Sequence, residues 1–220
     1  MNPFASLQQK RQFLGQAQED LSAAIQEHLR SNLLEYELAK AAPAISGDLD
    51  PTLFRSQAEE MVAAALGLEE DLSSLGPDDL LTLHRVVSDS EEVYRQEPVQ
   101  PLSAAHQSLD PAIIPNAMGR FFEWVHSSSF GELHPVEQAT LSQVRLYEIQ
   151  PFQEHSHLAV SLFCLYFFLR GGYLIPLYRI KELPDFHRAL EQAFALSTEE
   201  LVGFNARACE RSYEYALTNL

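Results

Sequence analysis

Long apolar runs, paired cysteines and positive charge are what this sequence has least of. Its 220 residues include two cysteines, one tryptophan and 15 Lys+Arg against 31 Asp+Glu, for a formal net charge of −16 at pH 7. Without a run of roughly 18 apolar residues a membrane span is excluded, and the opening MNPFASLQQKRQF lacks the apolar core of a secretory signal. Two cysteines make no disulfide framework, and a chain of this length buries roughly 70% of its unfolded surface without one. Cys164 and Cys209 therefore read as ordinary buried thiols of a cytoplasmic protein. The shortage of bases excludes nucleic acid as a partner, because so acidic a surface repels phosphate backbones and anionic lipid headgroups alike. The acidity leans toward the N-terminal part, where residues 1–100 carry 18 acids and 7 bases; solubility accounts for it as well as a cationic partner does. Also absent are the phosphate loop GxxxxGK[ST], the dinucleotide fingerprint GxGxxG and the nucleophile elbow GxSxG, which removes support from three familiar enzyme classes.

What is present is helical periodicity, with alternating strand patterns almost missing, so the fold class is all-α. Residues 8–39 read as one or two amphipathic helices, with Phe13, Leu21, Ile25, Leu29, Leu33 and Leu34 near three-to-four spacing. Pro43, Gly47 and Pro51 interrupt the pattern, and Asp50-Pro51 predicts an N-cap followed by proline in the first turn of a helix to about Leu66. Further helices are expected from Gly76-Pro77, over Pro115–His126, Pro135–Glu148, His155–Arg170, Asp185–Ala195 and Thr198–Ala216, the last opened by a Ser197/Glu200 capping box. Gly171-Gly172 supplies a stop, and AVSLFCLYFFLR, apolar all round, is the expected centre of the fold. Between Ser88 and Pro115 the chain is irregular, with short strands expected only near Val93–Tyr94 and Val99–Leu102. Residues 1–75 read as a helical extension packed on a core of residues 76–220, and Phe121, Phe122 and Trp124 as core residues on one helix.

The densest polar cluster is Gln150-Pro-Phe-Gln-Glu-His-Ser-His157, wedged between two apolar helices. Glu154, His155 and His157 offer oxygen and nitrogen ligands for zinc or iron, with His134 as a possible third imidazole. The H-x-H spacing suits a strand, whereas at a helix start residues two apart diverge by about 200°. Two histidines at a helix N-terminus, or lining a wet pocket, are the plainer account.

The same segment resembles a degraded form of the Fic (Fido) signature H-x-F-x-[D/E]-G-N-G-R-x-x-R. Around it, Leu80-x-x-Leu83-His84-Arg85 resembles the family's L-x-x-L-H-r helix, and Tyr94-Arg95-Gln96-Glu97-Pro98-Val99 its Y-R-x-x-P-V approach to a target-binding flap. His134-Pro135 is similar to its H-P helix start, and Asp185 to Leu190 to the helix after the core. Ser31-x-x-x-Glu35-Tyr36 resembles the inhibitory-helix motif [S/T]-x-x-x-E-[G/N], with Tyr36 where Gly or Asn is expected. The resemblance covers roughly residues 30–215 and implies a helical Fic domain with a short β-hairpin flap, an N-terminal inhibitory-type helix holding Ser31 and Glu35, and transfer of AMP from Mg·ATP to a protein hydroxyl. It further implies a base at position 150, a core anchor at 152, a magnesium-holding acid at 154, and phosphates cradled by backbone at 155–157.

Carried over residue by residue, that chemistry is largely missing. Gln150 stands at the base position and cannot take a proton, which removes general-base catalysis worth about 10²–10⁴-fold. Phe152 and Glu154 persist, but His155 and His157 replace both glycines, Ser156 replaces the asparagine, and Leu158 and Ser161 replace the two arginines. Side chains thus stand where backbone must approach phosphate and where positive φ is called for, and no substitute cation lies nearby in sequence. Glu35 loses the arginine that its inhibitory role presumes. No cofactor is expected, and Mg·ATP finds little to hold it. Three readings remain: a pseudoenzyme acting as a binding module, with Pro98, Val99, Gln100, Pro101 and Leu102 of the flap meeting a partner protein; a repurposed site on Glu154, His155 and His157 for metal-dependent nucleotide or phosphate chemistry; and residual nucleotidyl transfer using a displaced histidine. The candidate pocket in each case is Gln150, Phe152, Glu154, His155, Ser156, His157 and Ser161.

Overall fold

The structure is a computed structural model that describes residues 4–14, 21, 23–41, 60, 62–65, 67–68, 71–88, 93–103 and 106–220. Nine helices are labelled here among the described residues. Two, α1 (Ala5–Leu14) and α2 (Ala23–Ala41), precede α3 (Pro77–Val87), and α4 (Ile114–Val125), the single turn α5 (Ser128–Gly131) and α6 (Pro135–Ile149) follow. The chain closes with α7 (Ser156–Arg170), α8 (Leu183–Phe194) and α9 (Glu199–Asn219). The helix expected from Asp50 lies mostly outside the described residues, and only residues 60 and 62–65 are seen as helix. No helix among the described residues is long and apolar enough to cross a membrane.

Proline and local caps explain where the helices begin. Pro77, Pro115, Pro135 and Pro184 each sit in a first turn, where the missing N–H has no intrahelical partner to lose. At α3 the Asp79 carboxylate reaches back to the Gly76 N–H at 2.7 Å, and at α6 Glu137 does the same for His134 at 3.0 Å. The capping box expected at Ser197/Glu200 does not form: Thr198 is the N-cap residue and Ser197 donates to Glu199 instead. At the end of α7 Gly171 leaves room for the Pro135 ring, 2.5 Å from where a Cβ would stand, and Gly172 turns the chain at φ 71°.

As its composition requires, α7 is the core: every residue from Leu158 to Phe168 is buried. Phe163 meets Phe121, Phe122 and Phe167 in edge-to-face contacts, and Trp124 packs on Phe130. Helices α3, α6 and α2 all pack against α7. Asn32 clasps the backbone of Tyr178 with both arms of its amide, donating to the carbonyl and accepting from the N–H at 2.9 Å each, which ties α2 to the segment after α7. Helix α1 rests on α9, where Lys10 pairs with Glu210 and Glu214.

The expected hairpin flap is absent among the described residues, which contain no strand. Residues 93–103 run as irregular chain, for a local reason: Pro98 and Pro101 remove two of the ladder donors a hairpin needs. Arg95 holds the segment instead. Its buried guanidinium donates to the carbonyls of Gln150, Glu97 and Leu109 at 2.7–2.8 Å and to the Ser108 hydroxyl at 3.1 Å.

Candidate functional site

Six residues link α6 to α7, and their backbone is bent twice into the left-handed region, at Gln150 (φ 45°, ψ 68°) and His155 (φ 53°, ψ 14°). Neither is glycine, so both positions are strained. The first bend ends α6 with the Gln150 N–H on Leu146, and the second opens α7, whose N-cap His155 gives no side-chain cap. At position 155, where the resemblance implies glycine, a histidine holds the positive φ.

Gln150 is buried, and its Nε2 donates to the Gln100 carbonyl at 3.3 Å, joining the turn to the 98–102 segment. Its Oε1 is buried without a partner. Phe152 is fully buried and stacked on His84, with centroids 3.8 Å apart and planes within 8°. His84 in turn donates from Nε2 to the Glu154 carbonyl at 3.0 Å, and burial lowers its pKa, so the ring stays neutral. The Glu154 carboxylate is exposed. A hollow of about 270 Å³ lies between α3 and the turn, bordered by His84, Tyr94, Phe152 and Glu154.

His155 and His157 are both half-buried, and the Nε2 of His157 is enclosed. That nitrogen has no partner, and burial, ahead of the nearby charges of Lys40 and His155, pushes the pKa of His157 down to about 3. It is a neutral imidazole at physiological pH and adds no positive charge for phosphate. His134 is not beside it: it caps α6 by accepting the Val136 N–H at Nδ1, which leaves Nε2 to donate to the Tyr173 hydroxyl at 2.9 Å. No group of three or more His, Cys, Asp or Glu side chains converges as a metal site among the described residues.

Ser161 leads to the residues that the sequence reading missed. Its hydroxyl lies 3.0 Å from Nζ of Lys40 and 3.1 Å from the Tyr147 hydroxyl. Lys40 stands 2.8 Å from each oxygen of Glu37, with both side chains buried, and the rings of Phe186 (4.8 Å), Tyr36 and Tyr147 (5.7 Å each) enclose the ammonium. Burial is the largest influence on Lys40 and opposes its charge, but Glu37, Tyr147 and Tyr36 together outweigh it and hold the pKa above the ordinary lysine value. A cavity of about 20 Å³ beside Glu37, Ser161 and Asn205 has room for one water molecule.

No cation lies near Ser161 in sequence, but among the described residues the fold brings Lys40 to it from 121 positions away. Glu35, expected to face the turn, is exposed, and Ser31 bonds to Glu27 on its own helix. Glu37 holds the inward position instead. The signal was available in the helical stripe Leu33, Tyr36, Glu37 and Lys40, spaced so that all four share a face; the first three are 4%, 1% and 2% exposed.

No family model matches the chain. It is 27% identical over 168 residues to Protein adenylyltransferase Fic of Nematostella vectensis, a match taking in 70% of this chain and 39% of that protein, so the chain spans about two fifths of its relative. Among solved structures it is similar to a Fic family protein from Desulfovibrio desulfuricans G20, with TM-score 0.78, 16% identity, and 99% of this chain and 74% of that one covered. A Fic domain containing signaling protein from Bacteroides thetaiotaomicron gives TM-score 0.70 and 16% identity, over 97% of each chain. Fic-1 from C. elegans gives TM-score 0.68 and 16% identity, over 100% of this chain and 74% of that one. With sequence likeness and architecture pointing the same way, the chain is a Fic-fold protein related to the Fic/Fido family.

Proposed function

We propose that this protein keeps the Fic scaffold without adenylyltransferase chemistry and works as a binding or interaction module. The observation that carries the reading is the Lys40–Glu37–Ser161 cluster, in which the cation that the described residues bring to Ser161 is already neutralised by a carboxylate of its own helix. Mg·ATP does not fit this surrounding: Leu158 is apolar and buried, His157 is neutral, and the His155 side chain stands where the family has glycine. Gln150 holds its amide on Gln100 and has no lone pair basic enough to accept a hydroxyl proton. The exposed residues Pro98, Gln100, Pro101 and Leu102, with half-buried Val99, are the surface through which a protein partner engages, since the family places its target there and Arg95 fixes this segment against the turn.

Incubation with labelled ATP and Mg²⁺ tests this. No label is expected on the chain or on added protein substrates, and none after Gln150→His alone, because restoring the base leaves the phosphate charge unmet. Label incorporated by the unaltered chain overturns the reading.

A further inference from the structure

A groove of about 820 Å³ opens between the 106–109 segment, α4, the last turn of α6 and the end of α8. None of its lining residues belongs to the Lys40–Glu37–Ser161 cluster. Its walls carry three rings already fixed by their neighbours: Phe121 against Phe163, Trp124 against Phe130 at 4.7 Å, and Phe194 stacked on His106 at 4.8 Å. Rings held in this way offer rigid apolar faces at little entropic cost. The His106 ring is tied on both sides, accepting the Leu102 N–H at Nδ1 and donating from Nε2 to the Glu148 carbonyl.

The charged groups of the groove are two guanidiniums and one carboxylate. Arg145 pairs with Glu148 at 3.3 Å across an exposed turn of α6, a weak contact. Arg120 on α4 is exposed and has no hydrogen-bonding or ionic partner among the described residues. A net positive rim is out of keeping with a chain of charge −16 and marks the groove as complementary to an anion. Its volume, with fixed aromatic faces beside polar and charged side chains, is that of a small-molecule pocket.

We propose that this groove binds a small amphipathic anion, a flat apolar body on Phe121, Trp124 and Phe194 with its carboxylate, sulfonate or phosphate at Arg120 and Arg145, at a site separate from the motif turn.

The test is titration of the whole chain with 8-anilinonaphthalene-1-sulfonate, read by fluorescence, with stoichiometry from equilibrium dialysis. One saturable site per chain is expected. Arg120→Gln should weaken it about five- to tenfold, and the uncharged N-phenyl-1-naphthylamine should bind about tenfold more weakly, with the gap narrowing in high salt. Ala117→Trp, in the groove wall, should abolish saturable binding while melting stays cooperative; should that variant fail to fold, Asn116→Trp at the neighbouring exposed position makes the same obstruction. Non-saturable uptake, binding that survives the obstruction, or indifference to Arg120 overturns the proposal. Competitive displacement by Mg·ATP overturns it as well, by joining the groove to the motif turn.

Discussion

Lys40 and Ser161 are separated by 121 positions in the chain and by 3.0 Å in the fold, and the lysine arrives with its own counterion, Glu37. A buried pair contributes little against an apolar replacement but costs much when halved. Lys40→Met should therefore destabilise by about 3–5 kcal/mol, because it strands the Glu37 carboxylate in the core. The double change Lys40→Met with Glu37→Leu should recover most of that loss, whereas Glu35→Ala, at an exposed position, should stay within about 0.5 kcal/mol. Urea unfolding of the four proteins reads these differences. Equal, small effects at positions 35 and 40 would show that the cluster does not hold α2 to the core.

The left-handed backbone at His155 (φ 53°) gives a prediction of opposite sign. His155→Gly relieves the steric conflict of a Cβ in that region and should raise stability by about 0.5–1 kcal/mol, the gain being reduced by the extra freedom glycine gives the unfolded chain. A calorimetric melt checks it, and a lowered melting temperature would mean that the imidazole makes contacts worth more than the strain.

Acid should loosen this fold well before its carboxylates titrate. The folded pKa of His157, pushed down to about 3, lies below the ordinary 6.5, so the unfolded chain takes up the proton first. The contribution is whole above about pH 6.5 and is lost as pH falls from there toward 3, at about 1.4 kcal/mol per pH unit for one proton. His84 and His134, also lowered by burial, act in the same direction. Denaturation midpoints measured from pH 7 to 4.5 should fall, and His157→Asn should flatten the slope by close to one proton; an unchanged slope would place the proton uptake elsewhere.

Arg95 should prove the clamp between the 98–102 segment and the motif turn. Arg95→Met leaves the carbonyls of Gln150, Glu97 and Leu109 without their donor and should cost about 3–5 kcal/mol. Hydrogen exchange should quicken in residues 97–109 and 149–151 while the centre of α7 stays protected. Uniform loss of protection would mean that the arginine supports the whole core rather than this junction.

The sequence was most legible where one local rule acted without competition. Pro77 and Pro135, the all-apolar run of α7 and the Gly171-Gly172 stop fixed element boundaries to within a few residues. No strand forms at Val93–Tyr94 or Val99–Leu102, because β-favouring residue types suit extended chain but Pro98 and Pro101 lack the N–H donors that a ladder needs. The S-x-x-x-E spacing that marks Glu35 ignores which face of α2 meets α7, and the stripe of Leu33, Tyr36, Glu37 and Lys40 decides that face.

By itself, then, the sequence determined the helical class and the buried centre, since these follow from residue type and short-range periodicity. Only the tertiary structure decided that a lysine from α2 stands at Ser161 with its carboxylate already bound, and that the Arg120 groove exists. Both depend on which helices cross, and crossing is set by the packing of whole faces against each other, which no local window of sequence contains.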